Sequence, residues 1–202
     1  MTASDRWKDD VYKEKSLYDV YRASRVIEPS RFNVSCMRVC YVLCGLYVLM
    51  NVVTGADNGE IIAALSRISA SLITITTAVL GFLIAGFSIF ISSTPNRTLI
   101  MLLNTRYKST EISYFKQIMF NFLNVFSVYL CVLVIALGVN TSTPLGWSPL
   151  LPLGFPPKLT IAFNSSVLGV LVISSAYAVL RLKSFIWTMY QGLIVNMMLG
   201  AK

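Results

Sequence analysis

Of the 202 residues, 55% are hydrophobic and 13% charged, a balance too apolar for a water-soluble domain. The net charge of +8 would suit nucleic-acid binding in a soluble chain, but basic residues flanking membrane helices account for it, and no direct nucleic-acid binding is expected. Histidine is absent, which removes the commonest metal ligand and general base. Several apolar runs predict an all-α, polytopic membrane protein with four transmembrane helices, at about 32–54, 68–91, 118–139 and 159–180. Residues 1–31 read as a cytosolic N-terminal segment, 32–180 as the four-helix transmembrane domain and 181–202 as an amphipathic C-terminal helix.

In the first segment Trp7, Val11, Tyr18 and Arg25 follow roughly helical spacing, with Thr2 or Ser4 as a cap and Glu28-Pro29-Ser30 as the stop. Seven basic residues face six acids there, so it lacks the uncompensated charge of a polybasic lipid anchor. Trp7, Tyr18 and Tyr21 suit a helix that docks on a cytosolic protein, and the same pattern also fits a helix on the membrane surface. The chain opens on polar residues and shows no cleavable secretory signal, so the first membrane helix is expected to act as its own insertion signal.

That helix runs from about Phe32 to Thr54. Its strictly apolar part begins at Val39, and Arg38 must extend to the headgroups. Cys36, Cys40 and Cys44 share one face at four-residue steps and read as small packing residues, with S-acylation of the first two as the alternative. A loop is expected from Gly55 to Arg67, with Asp57-Asn58-Gly59 as its turn.

The second span, Ile68 to Ile91, has no charge, and its 24 residues reach about 36 Å as a helix. Ala70, Thr74, Thr77, Gly81, Ala85, Ser88 and Ser92 recur every three or four residues and form one nearly straight stripe of small side chains. Such a stripe lets another backbone come close, so these residues are the candidates for helix packing and oligomerisation. Leu72, Ile73, Val79, Leu83 and Phe90 lie opposite and suit lipid or other helices.

Pro95 should stop this helix. A short amphipathic helix with Leu99, Leu102 and Leu103 is expected next at the interface, and then a helix capped by Ser109 or Thr110 and running through Val139. Gln117, Asn121, Asn124 and Ser127 make its polar face. Residues 140–158 hold five of the seven prolines with Trp147 and Phe155 among apolar neighbours, which places this loop at the outer headgroup boundary or over the helices as a cap. Trp147 and Phe155 are the candidates for sensing outside the membrane.

The fourth span is entered through Asn164, Ser165 and Ser166. Beyond Arg181, the residues Leu182, Phe185, Ile186, Met189, Tyr190, Leu193, Ile194 and Met197 repeat over four turns. Phe185, Met189 and Leu193 join Trp7, Tyr18 and Tyr21 as partner-docking candidates. The alternative for this helix is the inner-leaflet interface or a neighbouring subunit.

Fifteen of the 17 basic residues fall in the termini and the middle connection, which predicts both termini inside (N-in/C-in). No acid or base lies at 69–91, 118–139 or 160–180, and no nucleophile–base pair, zinc motif or nucleotide motif is present. Neither an enzymatic activity nor a cofactor is expected.

The tyrosine-rich start, the run Gly81-Phe82-Leu83-Ile84-Ala85-Gly86-Phe87 and the basic connection from Arg97 to Arg106-Tyr107 resemble small bacterial four-helix membrane proteins of anti-phage systems, in particular the membrane subunit of Kiwa-type defence. The likeness covers size, topology and that one helix. It implies a homo-oligomer of the bacterial inner membrane that senses phage-associated envelope disturbance and works with a cytosolic DNA-binding partner; it carries over no catalytic residues. The sequence thus leads to the expectation of a non-enzymatic, homo-oligomeric membrane scaffold or sensor that binds lipid and recruits a cytosolic protein. The alternative is a pore-forming or membrane-depolarising effector lined by Thr74, Thr77 and Ser88.

Overall fold

A computed structural model describes residues 31–105, 113–142 and 156–200. The described residues are all-helical, with no strand among them, in the order α1 (Arg31–Thr54), α2 (Asn58–Ser93), α3 (Asn96–Asn104), α4 (Tyr114–Ser142) and α5 (Pro157–Gly200). Four of these, all but α3, are long and apolar enough to cross a membrane.

The link between α1 and α2 is much shorter than expected. Gly55 takes a left-handed φ of 66°, which glycine adopts without a Cβ clash, and the next amide, of Ala56, donates to the Asn51 carbonyl at 3.1 Å. This closes α1. Asp57 then opens α2: its Oδ1 accepts the Gly59 amide at 3.0 Å and its carbonyl the Ile61 amide at 3.3 Å. Asp57-Asn58-Gly59 is therefore a helix start and not a loop turn, and α2 begins ten residues before Ile68. The expected loop shrinks to Gly55–Asp57.

Pro95 does end α2, and its carbonyl accepts the Leu99 amide of α3 at 3.1 Å. Leu102 is buried while Ile100 is exposed, the two-sidedness expected of α3. Helix α4 is capped by Ser113, whose Oγ accepts the Lys116 amide at 3.3 Å and whose carbonyl accepts that of Gln117 at 3.0 Å. Ser113 thus replaces the expected Ser109 or Thr110, which lie outside the described residues. Asn140-Thr141-Ser142 is the last turn of α4 and not loop. Pro157 supplies the first residue of α5, a position that needs no amide hydrogen. At 44 residues, α5 is about 66 Å long. It does not break at Arg181, where neither glycine nor proline interrupts the pattern, so the expected C-terminal helix continues the fourth span.

The chain divides into two units. One comprises Pro29–Gly81 and Val128–Leu180. Its core joins Ile61 and Leu65 of α2, Ala136 and Val139 of α4, and Ile161, Leu168 and Leu171 of α5, with Val52 and Ala56 packed against them. The other includes Phe82–Ser127 and Arg181–Lys202. In its described part Phe122 of α4 stacks on Phe87 of α2 at 4.2 Å between centroids and lies 6.1 Å from both Phe126 and Phe185.

Candidate functional site

Helix α2 has two unlike faces. Ile61, Leu65, Ser69, Thr76, Leu80 and Leu83 are buried, and Leu72 and Ile73 pack on the core of the first unit. So the residues opposite the small stripe are the ones this chain covers. Ala70, Thr74, Thr77, Gly81, Ala85 and Ser88 are all exposed. A Cβ built on Gly81 would meet nothing within 4 Å. The six candidates lie along one side of α2, Ala70 to Gly81 in the first unit and Ala85 and Ser88 in the other, each exposed among the described residues.

The hydroxyls on and beside this face cost little in hydrocarbon. Thr74 donates to the Ala70 carbonyl at 3.2 Å and Ser71 to that of Arg67 at 3.0 Å, so neither leaves an unmet donor. Because α2 starts early, Glu60, Ala63 and Arg67 extend the same exposed face beyond Ala70 at steps of three and four residues. One acid and one base of opposite sign therefore lie at its end, where the sequence predicts loop.

Polar side chains that the sequence shows only as an entry to the fourth span form a clasp in the first unit. Asn164 Nδ2 donates to Asn58 Oδ1 at 2.8 Å, and Asn51 Nδ2 to Ser165 Oγ at 3.1 Å. Ser69 Oγ reaches Asn140 Oδ1 at 3.4 Å. Asn164, Ser165 and Ser69 have no exposed surface. Nearby, the Cys44 thiol points at the Gly169 carbonyl, 3.9 Å away, and a Cβ on Gly169 would stand 3.6 Å from that of Cys44. Cys36, Cys40 and Cys44 are half-buried on one face of α1, which fits the packing role read from their spacing. The signal that would have found this contact is Ser165-xxx-Gly169, a small-xxx-small pair.

The C-terminal candidates divide. Phe185 is buried against Phe122, so it serves the chain's own packing. Its ring lies 6.1 Å from that of Phe122, which stands there in place of solvent. Met189 is half-buried, and of Leu193 the structure gives only its place in α5. The exposed residues here are Ile186, Trp187 and Tyr190. Trp7, Tyr18, Tyr21, Trp147 and Phe155 lie outside the described residues.

No protein-family model, curated protein or solved structure matches the chain.

Proposed function

We propose that this chain is a non-enzymatic, homo-oligomeric scaffold or sensor of the bacterial inner membrane, with both termini in the cytosol, recruiting a cytosolic protein in anti-phage defence. The observation that supports it most is the α2 face. A stripe with so little side-chain volume gives weak van der Waals contact to fluid lipid, but against a second helix it allows close backbone approach. The described helices leave it uncovered, so the occupant in this reading is another copy. The partner would engage residues 7–21, with Met189 and Leu193 in a lesser role now that Phe185 is committed inward.

Gly81 offers a clean test, since among the described residues nothing stands within 4 Å of a Cβ built on it. Gly81→Leu and Ala85→Leu should leave the helix content and monomer fold intact yet disperse the oligomer, read as a fall in mass by native mass spectrometry in mild detergent. Unchanged mass would remove the packing role of this face. Thr74, Thr77 and Ser88 are exposed together on it, which keeps a second reading, a depolarising pore. Absence of conductance in planar bilayers, with and without infection-derived stimulus, would remove that one.

A further inference from the structure

Within the first unit, one face of α1 lies outside the packing. Val39, Val42, Leu46, Leu49 and Val53 are exposed, and their steps of three and four residues set them in one seam along the helix. Two hydrogen bonds fix the depth of this seam against α2. Asn51 of α1 donates to Ser165 at 3.1 Å, and the neighbouring Asn164 donates to Asn58 of α2 at 2.8 Å. Asn51 and Asn58 therefore stand level to within about one turn. From that level the numbering falls along α1 and rises along α2, at the same rise per residue. Leu49 and Leu46 come level with Glu60 and Ala63, and Val42 and Val39 with Arg67 and Ala70. These four residues of α2 are exposed too, and their steps are also three and four.

One depth thus holds an aliphatic face on α1 and a face on α2 that carries two charges. A bilayer offers a single environment at each depth, and the hydrocarbon that suits Leu46 and Leu49 excludes Glu60 and Arg67. A contact between the two faces removes that conflict. Volume favours the same contact: α1 presents a valine or leucine at every step, while α2 presents Ala63 and Ala70, so the knobs of one series meet the hollows of the other. Copies related by an axis along the membrane normal keep the same depth, so residues level within one copy are level between copies. We propose that the Val39–Val53 seam of α1 packs on the Glu60–Ala70 face of α2 in the next copy, head to tail. Such a contact is heterologous and closes into a ring where the rotation allows. It rests on the homo-oligomeric reading above and names which helix of the neighbour occupies the outer part of the α2 face.

The test co-expresses two forms of the full chain, one with Leu46→Cys and one with Ala63→Cys, each with its four native cysteines replaced by serine and each with a tag of different size. A short bis-maleimide added to membranes should join the first form to the second and neither form to itself. A second measurement leaves the native cysteines in place. Ala63→Leu should reduce the oligomer to monomer mass in native mass spectrometry, and Leu46→Ala in the same chain should restore it, because the volume added on one face is removed from the other. Ala63→Cys chains joined to one another would show α2 facing α2 and overturn the head-to-tail contact, while the homo-oligomer stands. An oligomer by mass that gives no mixed product and is indifferent to Ala63→Leu also overturns it, since lipid would then cover α1. A wild-type chain that is monomeric by mass removes the homo-oligomeric reading itself, and this contact with it.

Discussion

Asn164 has no exposed surface, and its amide donates to Asn58 at 2.8 Å. In hydrocarbon an unmet amide costs several kcal/mol, yet the net value of such a bond between membrane helices averages only about 0.6 kcal/mol and reaches about 1.7. The clasp therefore matters more for which helices meet, and at what register, than for how tightly. A double-mutant cycle of Asn58→Ala and Asn164→Ala should give a coupling of about 1 kcal/mol by steric trapping in bicelles; additive losses would mean the pair contributes nothing. Two glycines mark the difference between inner and outer contact. Gly169→Ala should be accommodated, because its Cβ meets that of Cys44 at an ordinary 3.6 Å. Gly169→Leu should push α1 away and raise the rate at which maleimide labels Cys44, several-fold over the wild type. Gly81→Leu should leave that rate unchanged in the dispersed protein. Sequence periodicity singled out Gly81 and passed over Gly169. It identifies which residues share a face but not what the face meets, and Gly81 stood in a long stripe while Gly169 had only Ser165 beside it.

At the scale of the element, the spans were legible because stretches of about 20 uncharged apolar residues have one stable setting. Their ends were less so. Asp57-Asn58-Gly59 carries the same residues as a loop turn and as a helix cap, and the hydrogen bonds from Gly59 and Ile61 to Asp57 decide for the cap. At the other end, Arg181 looked like a boundary because a charge limits a span in lipid, but a charge does not limit a helix. Spin labels at Val172 and Tyr190 test this directly. A continuous α5 sets their backbones about 27 Å apart, whereas a break at Arg181 shortens the distance and broadens its distribution in pulsed electron paramagnetic resonance. Ser113→Ala should cost about 1 kcal/mol through the lost cap of α4, measured against Ser109→Ala, for which no loss is expected.

At the scale of the molecule, the inward faces of α2, α4 and α5 are spoken for, and the outward faces carry the functional reading. Helix α1 has no buried residue at all, and Val42, Leu43, Leu46 and Val53 stand exposed along it. Its described contacts with the rest of the first unit include Cys44 and Asn51 and Val52 against the core, with most of its apolar surface left outside that packing. The orientation expected from the basic residues belongs to this scale too. A fluorescent-protein reporter should be active when fused at either end of the chain, and a phosphatase reporter at neither, because the second works only outside the cytosol.

The turn at Gly55–Asp57 has a consequence for biogenesis. With three residues between them, α1 and α2 cannot reach the lipid far apart in time or place; they leave the insertion machinery as a helical hairpin. For α1 this matters, because Arg38 near its start opposes insertion and its own apolar stretch is short. The more apolar α2, with a mean hydropathy of 2.2 against 1.8, is expected to carry it in. A long flexible spacer placed after Ala56 should uncouple the two and lower the fraction of α1 that inserts, read by glycosylation mapping in microsomes, even though every residue of both helices is unchanged.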